Sequence, residues 1–254
     1  MADLFHRDFG GGGHPPLVIL HGLLGSSRNW QTVGKDLASR YHVLALDLRN
    51  HGLSPHEPTM GYADMQADVL AWMDRQGLGQ ATVLGHSMGG KVAMSLACRE
   101  PSRVAGLIVV DMAPKDYRWE AHRAEFAAMN ELDLDGLASR AEAELRFEAR
   151  VPDWGMRKFL TTNLERDDAG TWRWLINLPV LTQSLPILER NALPAGARYE
   201  GPTRFILGGK SRYVADADRA AISGHFPRAD FVVLPQAGHN PHMDSRPAFV
   251  EAVP

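Results

Sequence analysis

The stretch TVLGHSMGGK, residues 82–91, passes from an apolar run into a helix-like one through small residues. Gly85-His86-Ser87-Met88-Gly89 matches G-x-S-x-G, a pattern that requires a strand before it and a helix after it. Thr82–Leu84 supplies the strand, and Lys91–Arg99, stopped by Pro101, supplies the helix. In such a sharp turn, side chains at 85 and 89 would clash with their neighbours. Ser87 is then held strained and exposed at a helix N-terminus, where the dipole favours developing negative charge. Ser87 is the candidate nucleophile.

Short apolar runs recur on both sides of this turn: Leu17–Leu20, Val43–Leu46, Leu107–Val110, Phe205–Leu207 and Phe231–Leu234. Each is continuous rather than alternating, as in strands covered on both faces of a parallel sheet. Helix-length patterns separate several of them, for example Ala63–Gln76. The expectation is an α/β fold with a doubly wound, mostly parallel sheet. An N-terminal strand at about Leu4–Asp8 is joined to the next by a turn at Gly10–Gly13. The alternation stops near residue 113 and resumes near 203. The intervening segment is rich in Ala, Glu, Arg and Leu, and HRAEFAAMNELDLDGLASRAEAELRFEAR (residues 122–150) reads as helix. Residues 113–197 are therefore expected to form a helical cap, not a second sheet, inserted into a core of 1–112 and 198–254. The cap's Trp119, Trp154, Trp172 and Trp174, with its leucines, suggest an apolar pocket or packing among the cap helices.

The chain has 254 residues, 44% hydrophobic and 22% charged, enough for a packed core. Its net charge of −3 argues against a nucleic-acid partner. A single cysteine, Cys98, excludes an intrachain disulfide framework. The N-terminal residues lack the apolar region of a signal peptide, and no run of 18 apolar residues offers a membrane span. A cytoplasmic protein, monomer or homodimer, is expected.

Two further motifs fit the serine. In VILHGLLGSSRNW (residues 18–30), His21-Gly22 ends a strand, and the loop beyond it suits an oxyanion-hole donor. The backbone N–H groups of Leu23 and Met88 are the candidates, with Leu24 as second choice. His21 reads as a loop brace and His86 as packing or pocket lining. In LPQAGHNPHMDSRPAFV (residues 234–250), His239 follows Gly238 at a strand exit, where a general base can reach Ser87. His242 is its competitor. A metal on His239 and His242 lacks further ligands at sensible spacing, and the chemistry needs no cofactor.

In this order, the sheet pattern, elbow, oxyanion loop, helical segment and terminal histidine resemble the α/β-hydrolase superfamily over nearly the whole chain. HGLLGSSRNW, LDLRNHGLSPH and GHSMGGKVAM, followed by VVDMAP, resemble more narrowly a group of bacterial serine esterases with mitochondrial abhydrolase-domain relatives. That resemblance implies two-step hydrolysis of small carboxylic esters, with acyl thioesters added by the resemblance alone. C–C hydrolases, haloperoxidases and ligand receptors share the fold and elbow and stay open as alternatives. The turn Asp47–Ser54 reads as polar bracing after a strand.

The superfamily's usual acid position, in the loop after the strand that follows the cap, here holds Ser211 in Gly208-Gly209-Lys210-Ser211. A phosphate loop is excluded, because G-x-x-x-x-G-K-[ST] needs glycine at 204, which is Arg. Asp111, ending the strand after the nucleophile's, is favoured as the acid and satisfies the order Ser–acid–His. Asp216, at an expected helix start, is the alternative. The resemblance gives Ser211 a supporting role in orienting the histidine.

Overall fold

The computed structural model describes residues 1–254. Seven strands form the main sheet: β1 (His6–Asp8), β2 (Pro16–Leu20), β3 (His42–Leu46), β4 (Ala81–His86), β5 (Val104–Val110), β8 (Thr203–Gly208) and β9 (Ala229–Leu234). Their order is β1-β3-β2-β4-β5-β8-β9. Only β1 runs antiparallel. The N-terminal strand is shorter than expected, starting at His6.

Alternate residues of each central strand enter different cores. Val18, Leu20, Val83, Leu107, Val109, Phe205 and Leu207 join the larger apolar cluster, whereas Leu17, Ile19, Leu84, Ile108, Val110 and Ile206 join the smaller one. Both faces are therefore dry, which is why these strands read as continuous apolar runs. The larger cluster takes in α2 (Tyr62–Arg75), α3 (Met88–Arg99) and α8 (Asp218–His225). The smaller is closed by α1 (Gln31–Leu37) and α10 (Arg246–Ala252), the latter following the short α9 (Pro241–Asp244).

Between β5 and β8 lie α4 (Glu120–Glu131), α5 (Arg140–Phe147), α6 (Trp154–Thr161), a hairpin of β6 (Leu164–Arg166) and β7 (Trp172–Trp174), and α7 (Leu178–Leu188). Two features differ from the sequence expectation. The continuous helix expected over 122–150 is two helices. Asp133 Oδ1 accepts from the Asp135 amide in the break. Ser139 then caps the N-terminus of α5 by accepting from Glu142 N–H. The hairpin was also not expected, since its strands are only three residues long, too short to show an alternation. The segment has no core of its own: Phe126, Phe147, Leu160 and Leu181 belong to the same cluster as the sheet.

Lys91 of α3 ties that segment back to the sheet. It is fully buried, and its Nζ donates to the carbonyls of Leu188, Glu189 and Arg190 at the end of α7. It lies over the rings of Tyr62, Tyr117 and Trp119. Burial lowers its ammonium pKa to about 7, against the pull of Asp116 and Glu189. No helix is long and apolar enough to cross a membrane.

Candidate active site

Five parallel strands, β2, β4, β5, β8 and β9, deliver the site at their C-terminal ends. At the exit of β4, Ser87 has φ +52° and ψ −119°, a strained backbone for a non-glycine residue. A Cβ at Gly85 would stand 2.2 Å from Gly89 O, and one at Gly89 would stand 2.4 Å from Leu20 O. Only glycine at both positions lets α3 start this close to β2 and β4.

Asp111 leaves β5 with φ +50°. Because β5 and β8 are paired in parallel, with Val110 beside Ile206, its carboxylate meets the loop after β8. Asp111 Oδ1 accepts from Gly208 N–H at 3.0 Å, and Oδ2 accepts from the Ser211 hydroxyl. Ser211 Oγ in turn accepts from Tyr213 N–H at 3.1 Å. The end of β5 and the loop after β8 thus meet at the Asp111 carboxylate.

His239 completes the arrangement. Its Nδ1 lies 2.7 Å from Asp111 Oδ2 and its Nε2 lies 3.0 Å from Ser87 Oγ. A carboxylate only accepts, so Nδ1 holds the proton and Nε2 is left to accept from the Ser87 hydroxyl. The Gly238 amide is held by Asp244 Oδ2 at 2.8 Å, which fixes the loop. Ser87, His239 and Asp111, expected as nucleophile, base and acid, thus stand in one hydrogen-bonded chain. Asp216 stands outside it: its side chain is 97% exposed and pairs with Arg219. Nor does it open a helix, since α8 begins at Asp218.

The loop after β2 faces the same serine. A Cβ at Gly22 would meet Ser87 Cβ at 3.2 Å. The Leu23 amide donates to no acceptor within the protein, whereas the Leu24 amide is taken by His51 Nε2 at 3.2 Å. Met88 is the first residue of α3, where amides lack intrahelical acceptors. Leu23 and Met88 therefore suit the oxyanion role, and Leu24 does not.

Four other histidines near the site, His21, His51, His86 and His242, are held within the structure around it. His21 donates from Nδ1 to Gly22 O and accepts from Leu48 N–H. His51 donates from Nδ1 to Arg49 O. Asp47 binds the amides of Ser27 and Leu53, and buried Arg49 pairs with Asp68, so the Asp47–Ser54 turn buttresses the loop from below. His86 bonds His239 O at 2.8 Å from Nε2. Its pKa is pushed well below the ordinary value by burial, then by His242 and His239. His242 stacks on Trp30 at 4.2 Å, and burial followed by the charge of His239 lowers it to about 3. It touches neither Ser87 nor Asp111 by a hydrogen bond.

A cavity of about 330 Å³ opens on Ser87, at the low end for ligand pockets. The core side contributes Gly22, Leu23, Trp30, His86 and His239, and the helical segment contributes His122, Asp153, Met156 and Phe159. None of the four tryptophans of that segment lines it. Trp119 is buried, and Trp172 is half-buried against the same core, its Nε1 donating to Leu137 O. Trp154 faces solvent, 61% exposed.

Two features in and beside the cavity had no signal in the motifs. Tyr213 stacks its ring on His239, with centroids 3.5 Å apart and planes 11° from parallel. His122 on α4 is bonded to buried Glu125. His122 and Glu125 sit three residues apart on a helix, a legible pairing, but which way that face turns is set by tertiary packing.

Residues 15–245 match a family described as having the alpha/beta hydrolase fold. The chain is 35% identical to the esterase YbfF of Escherichia coli (strain K12), covering 94% of this chain and 91% of that protein. It is 37% identical to the sn-1-specific diacylglycerol lipase ABHD11 of Danio rerio, over 96% of this chain and 78% of that one. A solved marine microorganism esterase superposes with a TM-score of 0.96 at 33% identity, covering 99% and 98% of the two chains. Likeness this long and this close leaves one assignment: the chain belongs to the α/β-hydrolase family.

Proposed function

We propose that this protein is a serine hydrolase of carboxylic esters with short to medium acyl chains. The observation that carries this reading is the Ser87–His239–Asp111 hydrogen-bonded chain opening on a cavity beside a free Leu23 amide. His239 Nε2 takes the Ser87 proton as Ser87 Oγ attacks the ester carbonyl. The Leu23 and Met88 amides receive the oxyanion. His239 then passes the proton to the leaving alcohol, and water, deprotonated by the same nitrogen, releases the acid from the acyl-enzyme. Thioesters present the same carbonyl chemistry and belong to the same reading.

Residues 113–197 act as a cap on the core of 1–112 and 198–254 and set specificity through His122, Asp153, Met156 and Phe159. The zebrafish relative is named for a diacylglycerol; a cavity of about 330 Å³ supports smaller esters. A cytoplasmic setting suits the single cysteine, whose thiol is raised to about 11 by burial and is unreactive there.

A fluorophosphonate probe tests the reading. It forms a covalent adduct on Ser87, abolished in Ser87→Ala, and p-nitrophenyl esters of rising acyl length are turned over with a maximum at short to medium chains. Folded protein with no adduct and no turnover is a binding protein, and the hydrolase reading fails. Ser211→Ala tests the support of the acid. Removing one hydrogen bond to the Asp111 carboxylate lowers kcat about tenfold with little change in unfolding midpoint. Full activity in that variant would reduce the loop to a turn.

A further inference from the structure

The helical segment carries a second histidine–carboxylate pair, and its histidine lines the cavity. His122 Nδ1 lies 2.6 Å from Glu125 Oε2, one turn along α4. Glu125 is 5% exposed, and His122 is its one hydrogen-bond partner. Trp119 meets the His122 ring edge-on at 5.4 Å and 88°. The imidazole is thus held on two sides, while its Nε2 makes no hydrogen bond within the protein and the ring lines the cavity. Glu125 also lies toward the catalytic side: with burial and Asp111, its charge raises the phenol of Tyr213, the residue stacked on His239, to about 12.

Because the carboxylate accepts, Nδ1 carries the donated proton, and in that tautomer Nε2, unbonded within the protein on a ring that lines the cavity, is an acceptor. Asp153 and Asp244 line the same cavity and oppose an anionic ligand. We propose that His122, fixed by Glu125, is a specificity-determining residue that accepts a hydrogen bond from a substrate hydroxyl, so that hydroxylated esters are preferred over plain ones. The proposal rests on the ester-hydrolase reading and assigns no role in bond making or breaking to His122.

The hydroxyl can sit on the alcohol or the acyl side, and paired substrates separate the two. kcat/KM is measured for propyl butyrate, glycerol 1-monobutyrate, propyl 3-hydroxybutyrate and the butyryl ester of 3-hydroxypropanoate. The unaltered protein prefers one hydroxylated ester over propyl butyrate by about tenfold, the worth of one well-placed hydrogen bond. In His122→Leu that ratio falls to about one. In Glu125→Gln, which keeps the ring but frees its tautomer, the ratio also falls. A ratio taken within one preparation is insensitive to loss of folded enzyme. Equal turnover of all neutral esters, a preference retained in His122→Leu or Glu125→Gln, or a preference for the carboxylate ester overturns the proposal. No turnover of any ester by the unaltered protein overturns the hydrolase reading together with it.

Discussion

Asp111→Asn lowers kcat/KM for p-nitrophenyl butyrate about 10⁴-fold, the size of the same change in the Ser–His–Asp template, while Asp216→Asn stays within about twofold. The Asp111 carboxylate accepts from three donors, Gly208 N–H, the Ser211 hydroxyl and His239 Nδ1–H. An asparagine amide turned toward Nδ1 donates instead. The imidazole proton then moves to Nε2, and the ring loses its ability to take the Ser87 proton. The variant is nearly isosteric, so urea unfolding should show the fold intact. Asp216 is at the surface, bound to Arg219, and has no path to the ring. Loss of turnover in Asp216→Asn alone would move the acid to the other strand's loop and remove Asp111 from the mechanism.

Unfolding free energy falls by about 4 kcal/mol between pH 7 and pH 5 through two buried histidines. Burial, then the charge of His21, lowers His51 to about 3, and burial, then the charge of His239, does the same to His242. Unfolded, each takes its proton near 6.5. Their folded values are depressed, so the unfolded chain binds more protons in this window and acid favours unfolding. The neutral rings' contribution is complete above about pH 6.5 and is lost as pH falls toward 3. At pH 5 the gap of about 1.5 units is worth about 2 kcal/mol per ring. His21 and His86 are shifted the same way and add to the loss. Lys91, lowered to about 7, is charged in both states below that pH and contributes nothing here. Urea midpoints at the two pH values check this. His242→Phe keeps the ring on Trp30, replaces an unpartnered buried Nδ1, and removes about half of the two-ring effect. Equal midpoints at pH 7 and pH 5 would refute the assignment.

Ser87 and His239 were legible because their backbone geometry demands a local signature: glycines around the elbow, and a glycine-led loop at a strand exit. The place of Asp111 beside the loop after β8 was legible only through topology, since the ends of the two strands meet once they are neighbours. The segment between β5 and β8 was legible as helical but not in detail. Its break at residues 132–139 is made by side chains bonding back to the chain, and its hairpin by two three-residue strands around a turn. Composition suggested that its tryptophans could form an apolar pocket, yet Met156, Phe159 and His122 do the lining, because which helical face meets the cavity depends on how α4 and α6 pack. Tyr213 lies two residues beyond Ser211, but a sequence does not say that a ring will turn onto a histidine 26 positions later.

Strands β4 and β5 both end on a non-glycine residue with positive φ, Ser87 and Asp111. Ser87 stores about 1–3 kcal/mol that glycine would release. Asp111 differs, because its buried carboxylate also satisfies the Gly208 amide and the Ser211 hydroxyl, and glycine would orphan both. In a lineage where hydrolysis no longer matters, glycine would be expected at 87 before any change at 111 and before any erosion of the apolar strands. Such a descendant would keep its shape and gain stability, and its loss of function would be written in one codon.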